Sequence, residues 1–288
     1  MTSSPLFSVL MANYNNGRYL MESVDSVREQ SYDHWEIIIV DDGSTDHSED
    51  VFEALSGDSR IHIFRNDRNQ GAGFTKRRCV ELAKGELCAF VDPDDVLSDK
   101  DALAVMVQAH RDHPDASMVY SGFYDADENL VITGERRGIP LVGMSALESC
   151  TWPFKHLIAF KKEKYDRTVG IDPLMKRAVD YDMYYKLEEV GEIVFIDKVL
   201  YCYRHNSNSI SLNSGEYKSR AWHTYTCVEA MKRRGLTDEK LMLFPIEDAL
   251  QKEYKKAVDH MKATKTYRIG EAVLRPLKWF RRLFGKDE

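Results

Sequence analysis

The sequence is poor in cysteine, has no long apolar segment and carries no basic excess, and each deficit excludes a class of protein. Its five cysteines contain no C-x-x-C pair, so neither a disulfide framework nor a zinc site is indicated and a reducing cytoplasm fits. No apolar stretch approaches the ~18 residues that a membrane-spanning helix needs, and the N-terminus lacks the basic region of a signal peptide. The net charge of −7 argues against general nucleic-acid binding.

Two nucleotide-binding motifs are also missing. G-x-G-x-x-G does not follow the first apolar run, where Gly17 stands alone, and no G-x-x-x-x-G-K-[ST] occurs anywhere in the chain. These absences argue against a dinucleotide cofactor and against a P-loop.

What is present in the first half is an alternation of short apolar runs with segments of helical spacing. The predicted strands are 7–14, 36–42, 61–66, 87–92 and 117–123, and the predicted helices are 19–30, 46–55, 74–84 and 100–113. Such an alternation is typical of an α/β fold with a mostly parallel sheet covered by helices on both faces.

After about residue 130 the alternation ends. The sequence there predicts a short hairpin, a helix over 178–191 and one or two strands over 192–204. From Glu216 onward the pattern is helical. The predicted organisation is a catalytic-type domain over 1–215 and a helical C-terminal extension over 216–288.

Acidic residues gather where two predicted strands end. Asp41 and Asp42 follow the second strand, and Asp92, Asp94 and Asp95 follow the fourth. Ligands collect at the carboxyl ends of parallel strands, so these tips would form an anionic cleft with reason to bind a cation.

The alternation of a strand would point Asp92 and Asp94 the same way and turn Asp95 towards helix capping. Two such carboxylates suit Mg²⁺ or Mn²⁺. The alternative is that Asp94 or Asp95 merely caps the next helix. Asp41 and Asp42 could accept hydrogen bonds from a base or a ribose.

In order and spacing the chain resembles the family-2 glycosyltransferases, whose fold is called GT-A. The resemblance covers roughly residues 5–215 and rests on four motifs: FSVLMANYNNGRYLMESVDSVREQSYDHWEIIIVDDGSTD (7–46), NQGAGFTKRRCVELAKGELCAFVDPDD (69–95), VDYDMYYKLEEVG (179–191) and YRHNSNSIS (203–211). It implies an inverting enzyme that uses a nucleotide-diphosphate sugar, with a UDP-sugar favoured, and a divalent metal, Mn²⁺ or Mg²⁺.

The resemblance also implies roles for individual residues. The nucleoside pocket would contain Asp42 against the base, Asp41 beside it and the backbone near Ala12 and Tyr14. Of the D-x-D pair, Asp94 would bind the metal directly and Asp92 would lie nearer the ribose.

Asp180 would be the catalytic base, with Asp182 as the runner-up. The alternative for Asp180 is a carboxylate stabilised by the N-terminal end of a helix dipole.

The chain departs from the family pattern at three positions. Lys76 stands where the family often has Arg and could serve the diphosphate, although it is a point charge and not a planar fork. Val179 replaces the usual Glu before the base. The usual histidine lies one position after His205, where Asn206 stands, so His205 is either a metal or phosphate contact or a solvated loop residue.

Two segments concern the acceptor. The region 149–180, rich in aromatic residues and lysine, is either a strand at the edge of the core with a solvated loop or a wall that binds the acceptor. In the tail, residues 262–286 hold eight Lys or Arg against one Glu, and 266–284 have apolar residues at helical spacing. We expect this tail either to contact a membrane surface or to dock on the acidic body.

The sequence therefore predicts a metal-dependent inverting glycosyltransferase. It would lie in the cytoplasm, peripheral on the inner face of the cell membrane, and act on a glycan or lipid-linked acceptor in surface polysaccharide or glycolipid synthesis. Two rivals are a non-catalytic nucleotide-sugar-binding scaffold of the same fold and a haloacid-dehalogenase-like phosphohydrolase. The second rival carries its D-x-D-x-[TV] motif on the first strand, whereas here the motif follows the fourth.

Overall fold

The structure is a computed structural model that describes residues 4–147, 153–206 and 215–236. Its strands are β1 (Phe7–Asn13), β2 (Trp35–Asp41), β3 (Ile61–Arg65), β4 (Leu87–Phe90), β5 (Val96–Leu97), β6 (Ala116–Ala126), β7 (Ile132–Arg136), β8 (Ile158–Lys161) and β9 (Glu192–Arg204). Its helices are α1 (Gly17–Arg28), α2 (Ser48–Leu55), α3 (Ala72–Leu82), α4 (Ala102–Asp112), α5 (Lys162–Tyr165), α6 (Val179–Glu188) and α7 (Gly215–Arg233). The alternation predicted for the first half is confirmed.

The strands form a mixed sheet in the order β3-β2-β1-β4-β8-β6-β9-β5, with β7 paired to β6. The strands β3, β2, β1 and β4 are parallel to one another, as predicted. β8 then lies between β4 and β6 and is antiparallel to both. The strand expected in the region 149–180 is therefore present, and it is paired on both sides.

The core lies on both faces of the parallel half. Every residue of β2 and β4 is buried, since helices cover the sheet on each side and leave no solvent-facing row. On α1 the spacing of Leu20, Val24 and Val27 turns one apolar stripe to the sheet, and all three are fully buried. Each such side chain contributes roughly 1.5–3 kcal/mol by leaving water.

The helical extension is described only in its first part. α7 packs against α6, where the rings of Tyr181 and His223 meet edge to face at 4.8 Å. Within residues 4–147, 153–206 and 215–236, no helix is both long enough and apolar enough to span a membrane. The basic segment 266–284 lies outside the described residues.

Candidate active site

The D-P-D-D segment forms a turn at the tip of β4. The strand ends at Phe90, and the Asp95 amide donates to the Asp92 carbonyl at 3.0 Å. The strand alternation expected to align Asp92 with Asp94 is therefore wrong, because Pro93 lies inside a turn and not inside a ladder. The two carboxylates are nevertheless close enough for Asp92 to act electrostatically on Asp94.

Asp95 anchors this turn to β9. Its side chain is buried and accepts hydrogen bonds from the Tyr201 hydroxyl at 2.7 Å and from the Arg204 amide at 2.8 Å. Burial, followed by repulsion from the other two carboxylates of the turn, raises the pKa of Asp95 well above its ordinary value. The expected helix cap is wrong, because α4 begins only at Ala102.

Arg204 holds the same turn from the other side. Its guanidinium donates to the Asp94 carbonyl at 2.7 Å, to the Glu128 carbonyl at 2.7 Å and to the Glu22 carboxylate at 2.6 Å. It also lies over the Tyr19 ring, 4.6 Å from the centroid. The buried guanidinium thus ties the turn to α1 and to the β6–β7 connection.

Asp94 keeps a carboxylate that is only partly satisfied. Asn206 donates to its Oδ2 at 2.8 Å. Burial and the neighbouring Asp92 carboxylate raise the pKa of Asp94, which indicates negative charge that a cation would stabilise.

His205 turns towards a different carboxylate. Its Nε2 lies 2.7 Å from Asp125, which also pairs with Arg136 at 2.5 Å. Asn206, and not His205, therefore contacts Asp94 in this structure. A metal or phosphate contact for His205 stays a prediction.

Lys76 brings together two carboxylates that are far apart in the chain. Its ammonium lies 2.7 Å from Asp180 Oδ1 and 3.3 Å from Asp92 Oδ1. Burial disfavours the charged ammonium, but Asp180 and Asp92 outweigh burial, so the pKa of Lys76 is raised. The following Arg77 and Arg78 donate to other parts of the fold and leave Lys76 as the cation of the α3 face that meets both carboxylates.

A close backbone approach places α3 beside α6. The Gly73 amide donates to the Met175 carbonyl at 2.9 Å, and a Cβ on Gly73 would lie 2.5 Å from the Asp172 carbonyl oxygen. Only glycine fits this contact without displacing the loop. The loop leads directly into α6, so the contact sets the distance between Lys76 and Asp180.

The two aspartates of α6 have different surroundings. Asp180 retains 30% exposure of its side chain and faces Lys76. Asp182 is 6% exposed and pairs with the equally buried Lys186 at 2.5 Å, and Lys186 also donates to the Gly170 carbonyl. The structure thus engages Asp182 in an internal ion pair, whereas Asp180 borders the site.

At the tip of β2 both acidic side chains are buried and hydrogen-bonded. The Asp41 carboxylate accepts hydrogen bonds from the side-chain amide of Asn13 at 2.9 Å and from both the backbone amide and the hydroxyl of Ser44. Asp42 accepts from Asn66 at 2.7 Å and from two backbone amides. Those two amides belong to Gln70 and Gly71.

The remaining residues of the predicted nucleoside pocket lie close by. The amide of Asp42 donates to the Asn13 carbonyl, between Ala12 and Tyr14 at the end of β1. Tyr14 is 46% exposed, so its ring is available to a ligand. The fold therefore gathers Ala12, Tyr14, Asp41 and Asp42 at neighbouring strand ends, and their contact with a nucleoside stays a prediction.

The D-x-D turn has the chemistry of a hard-cation site. The carboxylates of Asp92 and Asp94 supply oxygen donors. A bound cation would offset the burial and the repulsion from Asp92 that raise the pKa of Asp94. Among the described residues no three His, Cys, Asp or Glu side chains meet as a ready-made metal site. The pair fits Mg²⁺ or Mn²⁺, which take one or two carboxylates together with water and phosphate oxygens.

Comparison with known proteins decides the family. The family model described as glycosyl transferase family 2 matches residues 8–175, which include the tips of β1, β2 and β4. This chain belongs to glycosyl transferase family 2. The glycosyltransferase is 30% identical over 224 residues to the glycosyltransferase GlyG of Streptococcus pneumoniae, an alignment that covers 72% of this chain and 73% of GlyG.

Solved structures show the same fold. The S. aureus TarS fragment 1–349 in complex with UDP-GlcNAc aligns with a TM-score of 0.63 at 20% identity, over 78% of this chain and 66% of that one. The mannosyltransferase PcManGT from Pyrobaculum calidifontis, in complex with GDP-Man and Mn²⁺, aligns with a TM-score of 0.58 at 15% identity, over 99% and 89%. The alignments with six other curated relatives cover between 20% and 36% of those proteins. The expected GT-A fold and glycosyltransferase activity are confirmed.

Three residues of the site escaped the sequence analysis. Arg204 lies within the YRHN motif, but its contacts with the turn join residues about a hundred positions apart and have no sequence signal. Asn206 was noted only as a departure from the family pattern. His156 lies beside Asp92 and Asp180 and was only part of an aromatic segment.

Proposed function

We propose that this glycosyltransferase moves a sugar, with inversion, from a nucleotide-diphosphate sugar to a glycan or lipid-linked acceptor, and that it depends on Mn²⁺ or Mg²⁺. The observation that carries the proposal is the bridge of Lys76 between Asp92 and Asp180. It brings a carboxylate of the D-x-D turn and a carboxylate of α6 to one cation. An inverting displacement needs protein groups on both faces of the sugar, one at the leaving diphosphate and one that takes the proton of the acceptor hydroxyl.

In this proposal the donor binds across the tips of β1, β2 and β4. Asp42, Asp41, Tyr14 and the backbone at Ala12 hold the nucleoside. TarS and PcManGT carry UDP-GlcNAc and GDP-Man respectively, which supports a nucleotide sugar as the donor. We favour a UDP-sugar, as the sequence resemblance implies.

The diphosphate lies at the D-x-D turn. Asp94 and Asp92 would hold the divalent ion, which supplies positive charge against the leaving diphosphate. Lys76 adds a second cation on the other side of Asp92, and a bound diphosphate competes with the two aspartates for its ammonium. The turn keeps its shape because Tyr201 and Arg204 of β9 bind it.

Asp180 acts as the general base. The proton of the acceptor hydroxyl must leave on the face of the sugar opposite the diphosphate, and Asp180 lies across Lys76 from the turn. Asp182 is excluded from this role in our proposal because Lys186 holds it inside the fold.

The acceptor and the cellular location are proposed from the charge of the C-terminal segment. The basic segment 266–284 supports contact with an anionic membrane surface on the cytoplasmic side, and so a lipid-linked acceptor or a surface polysaccharide. Liposome flotation of the chain with and without residues 266–288 tests the contact. Equal flotation of the full chain and of the chain without residues 266–288 would contradict the proposed membrane contact.

The activity is tested by UDP release from UDP-sugars in the presence of Mn²⁺. We expect the wild type to hydrolyse at least one donor slowly, Asp94→Ala to lose both binding and hydrolysis, and Asp180→Asn to keep donor binding but lose transfer. Tight Mn²⁺-dependent UDP binding without turnover on any acceptor would instead favour the non-catalytic scaffold.

A further inference from the structure

His156 is held in the site without the use of either ring nitrogen. Its imidazole stacks on Tyr201 with 5.0 Å between centroids and 27° between planes, and more distantly on Tyr203 at 6.5 Å and 15°. Phe123 meets it from the side at 6.2 Å. Across residues 4–147, 153–206 and 215–236, no hydrogen-bond partner is found for its Nδ1 or Nε2.

Two other histidines near the sheet are oriented differently. His205 is fixed by its Nε2 against Asp125, and His110 by its Nε2 at 3.2 Å from the Ala159 carbonyl. His156 is fixed by its ring faces instead. Its side chain is only half-buried, so its nitrogens are left for a ligand.

The ring lies near the two carboxylates between which the proposed reaction places the transferred sugar. Tyr201, on which it stacks, accepts a hydrogen bond from the Asp92 amide at 3.1 Å, so the imidazole is one ring away from the D-x-D turn. Asp92 and Asp180 both act on His156 electrostatically. The proposed reaction requires the sugar between the diphosphate at Asp92 and the base Asp180.

The protonation state of the ring suits a hydroxyl partner. Burial lowers the pKa of His156 and outweighs the two aspartates, which raise it. A neutral imidazole has one N–H donor and one acceptor nitrogen. A sugar hydroxyl can hydrogen-bond to either nitrogen, whereas a diphosphate oxygen, which only accepts, can pair with the N–H alone.

We propose that His156 hydrogen-bonds a hydroxyl of the transferred sugar and thereby contributes to the choice of donor sugar. The inference rests on the proposed function. It assigns to this residue the sugar and not the nucleotide, so removal of its nitrogens should weaken binding of a UDP-sugar while UDP itself binds as before.

The test compares UDP with UDP-GlcNAc and UDP-glucose by calorimetric titration of the full chain in Mn²⁺. His156→Phe keeps a ring to stack on Tyr201 but has no nitrogen, and we expect UDP affinity within about twofold of wild type. Loss of one hydrogen bond should lower the affinity for the preferred UDP-sugar by about 3- to 10-fold. The matched control is His62→Phe, because His62 is a half-exposed histidine of β3. This variant should bind UDP and the UDP-sugar with the affinities of the wild type.

His156→Gln supplies the second comparison, since an amide again offers a donor and an acceptor. We expect it to retain more UDP-sugar affinity than His156→Phe, and this ranking also serves if the Phe variant folds poorly. Equal losses for UDP and UDP-sugar, or no loss for either, would overturn the role of His156 and leave the proposed function standing. A wild type that binds no nucleotide sugar in Mn²⁺ would overturn the proposed function and this inference with it.

Discussion

Lys76→Met tests whether the bridge between the two carboxylates is an energetic feature of the fold. The variant removes the cation that lies 2.7 Å from Asp180 and 3.3 Å from Asp92. Loss of one partner from a fully buried ion pair costs about 3–5 kcal/mol. The two aspartates keep 30% and 32% exposure of their side chains, so water screens part of this. We expect a loss of about 1–3 kcal/mol in the free energy of unfolding.

The loss should depend on pH with a defined sign. Burial raises the pKa of Asp92, but Lys76 outweighs it, so the folded-state pKa lies below the ordinary 3.8. A carboxylate with a lowered pKa stabilises the fold above its unfolded pKa, and that contribution disappears as the pH falls through the folded pKa. The difference between wild type and Lys76→Met should therefore be complete at pH 7 and shrink below about pH 4.

Urea unfolding at pH 7 and at decreasing pH measures this difference. Lys232→Met is the matched control, because Lys232 is 61% exposed and pairs with Glu229 at the surface. The urea midpoint of this variant should stay that of the wild type. In an Asp180→Asn background the cost of Lys76→Met should fall, with a coupling of about 0.5–3 kcal/mol. Equal midpoints for the two lysine variants, or the same cost in both backgrounds, would refute the reasoning.

Three further predictions concern other residues. Asp180→Asn should lower the rate of transfer by about 10²–10⁴-fold with little change in Mn²⁺-dependent UDP binding. Steady-state kinetics measure the rate and calorimetry measures the binding, and a parallel loss of rate and UDP affinity would contradict the role of a base. Arg204→Lys keeps the charge but loses the planar fork, so we expect about 1–3 kcal/mol less stability in urea unfolding and weaker Mn²⁺-dependent UDP binding in calorimetry. An unchanged UDP affinity would count against the positioning of the turn by Arg204. Burial lowers the pKa of His110 to about 4. The unfolded chain therefore binds a proton at this histidine between pH 6.5 and 4 where the folded chain does not, and the free energy of unfolding falls over that range by up to about 1.4 kcal/mol per pH unit. His110→Gln should flatten this slope, and an equal slope for the variant and the wild type in urea unfolding would contradict the assignment.

The parallel half of the fold could be predicted because its signals are local. Apolar runs such as Trp35–Asp41 alternate with helical spacing, and each element forms from residues adjacent in the chain. The antiparallel half was harder. Ile158–Lys161 is four residues long and gains its place inside the sheet from pairing with β4 and β6, which no local pattern encodes.

The candidate site divides in the same way. The acidic strand tips were visible because Asp42 and Asp92 follow apolar runs, and motif order supplied Asp180. Contacts that join distant segments were not visible. The pairing of Lys76 with Asp180 depends on how α3 packs against the loop before α6, and the choice of Asn206 over His205 depends on the direction in which β9 leaves the sheet.

The central claim is that the D-x-D turn binds a nucleotide sugar together with a divalent metal. Its most direct test is thermal unfolding of the full chain with UDP-sugars and GDP-mannose, each with Mn²⁺ and with EDTA. We expect at least one nucleotide sugar to raise the melting temperature only in Mn²⁺, and Asp94→Ala to lose that rise. Stabilisation by no nucleotide diphosphate, or the same stabilisation in EDTA, would contradict the claim.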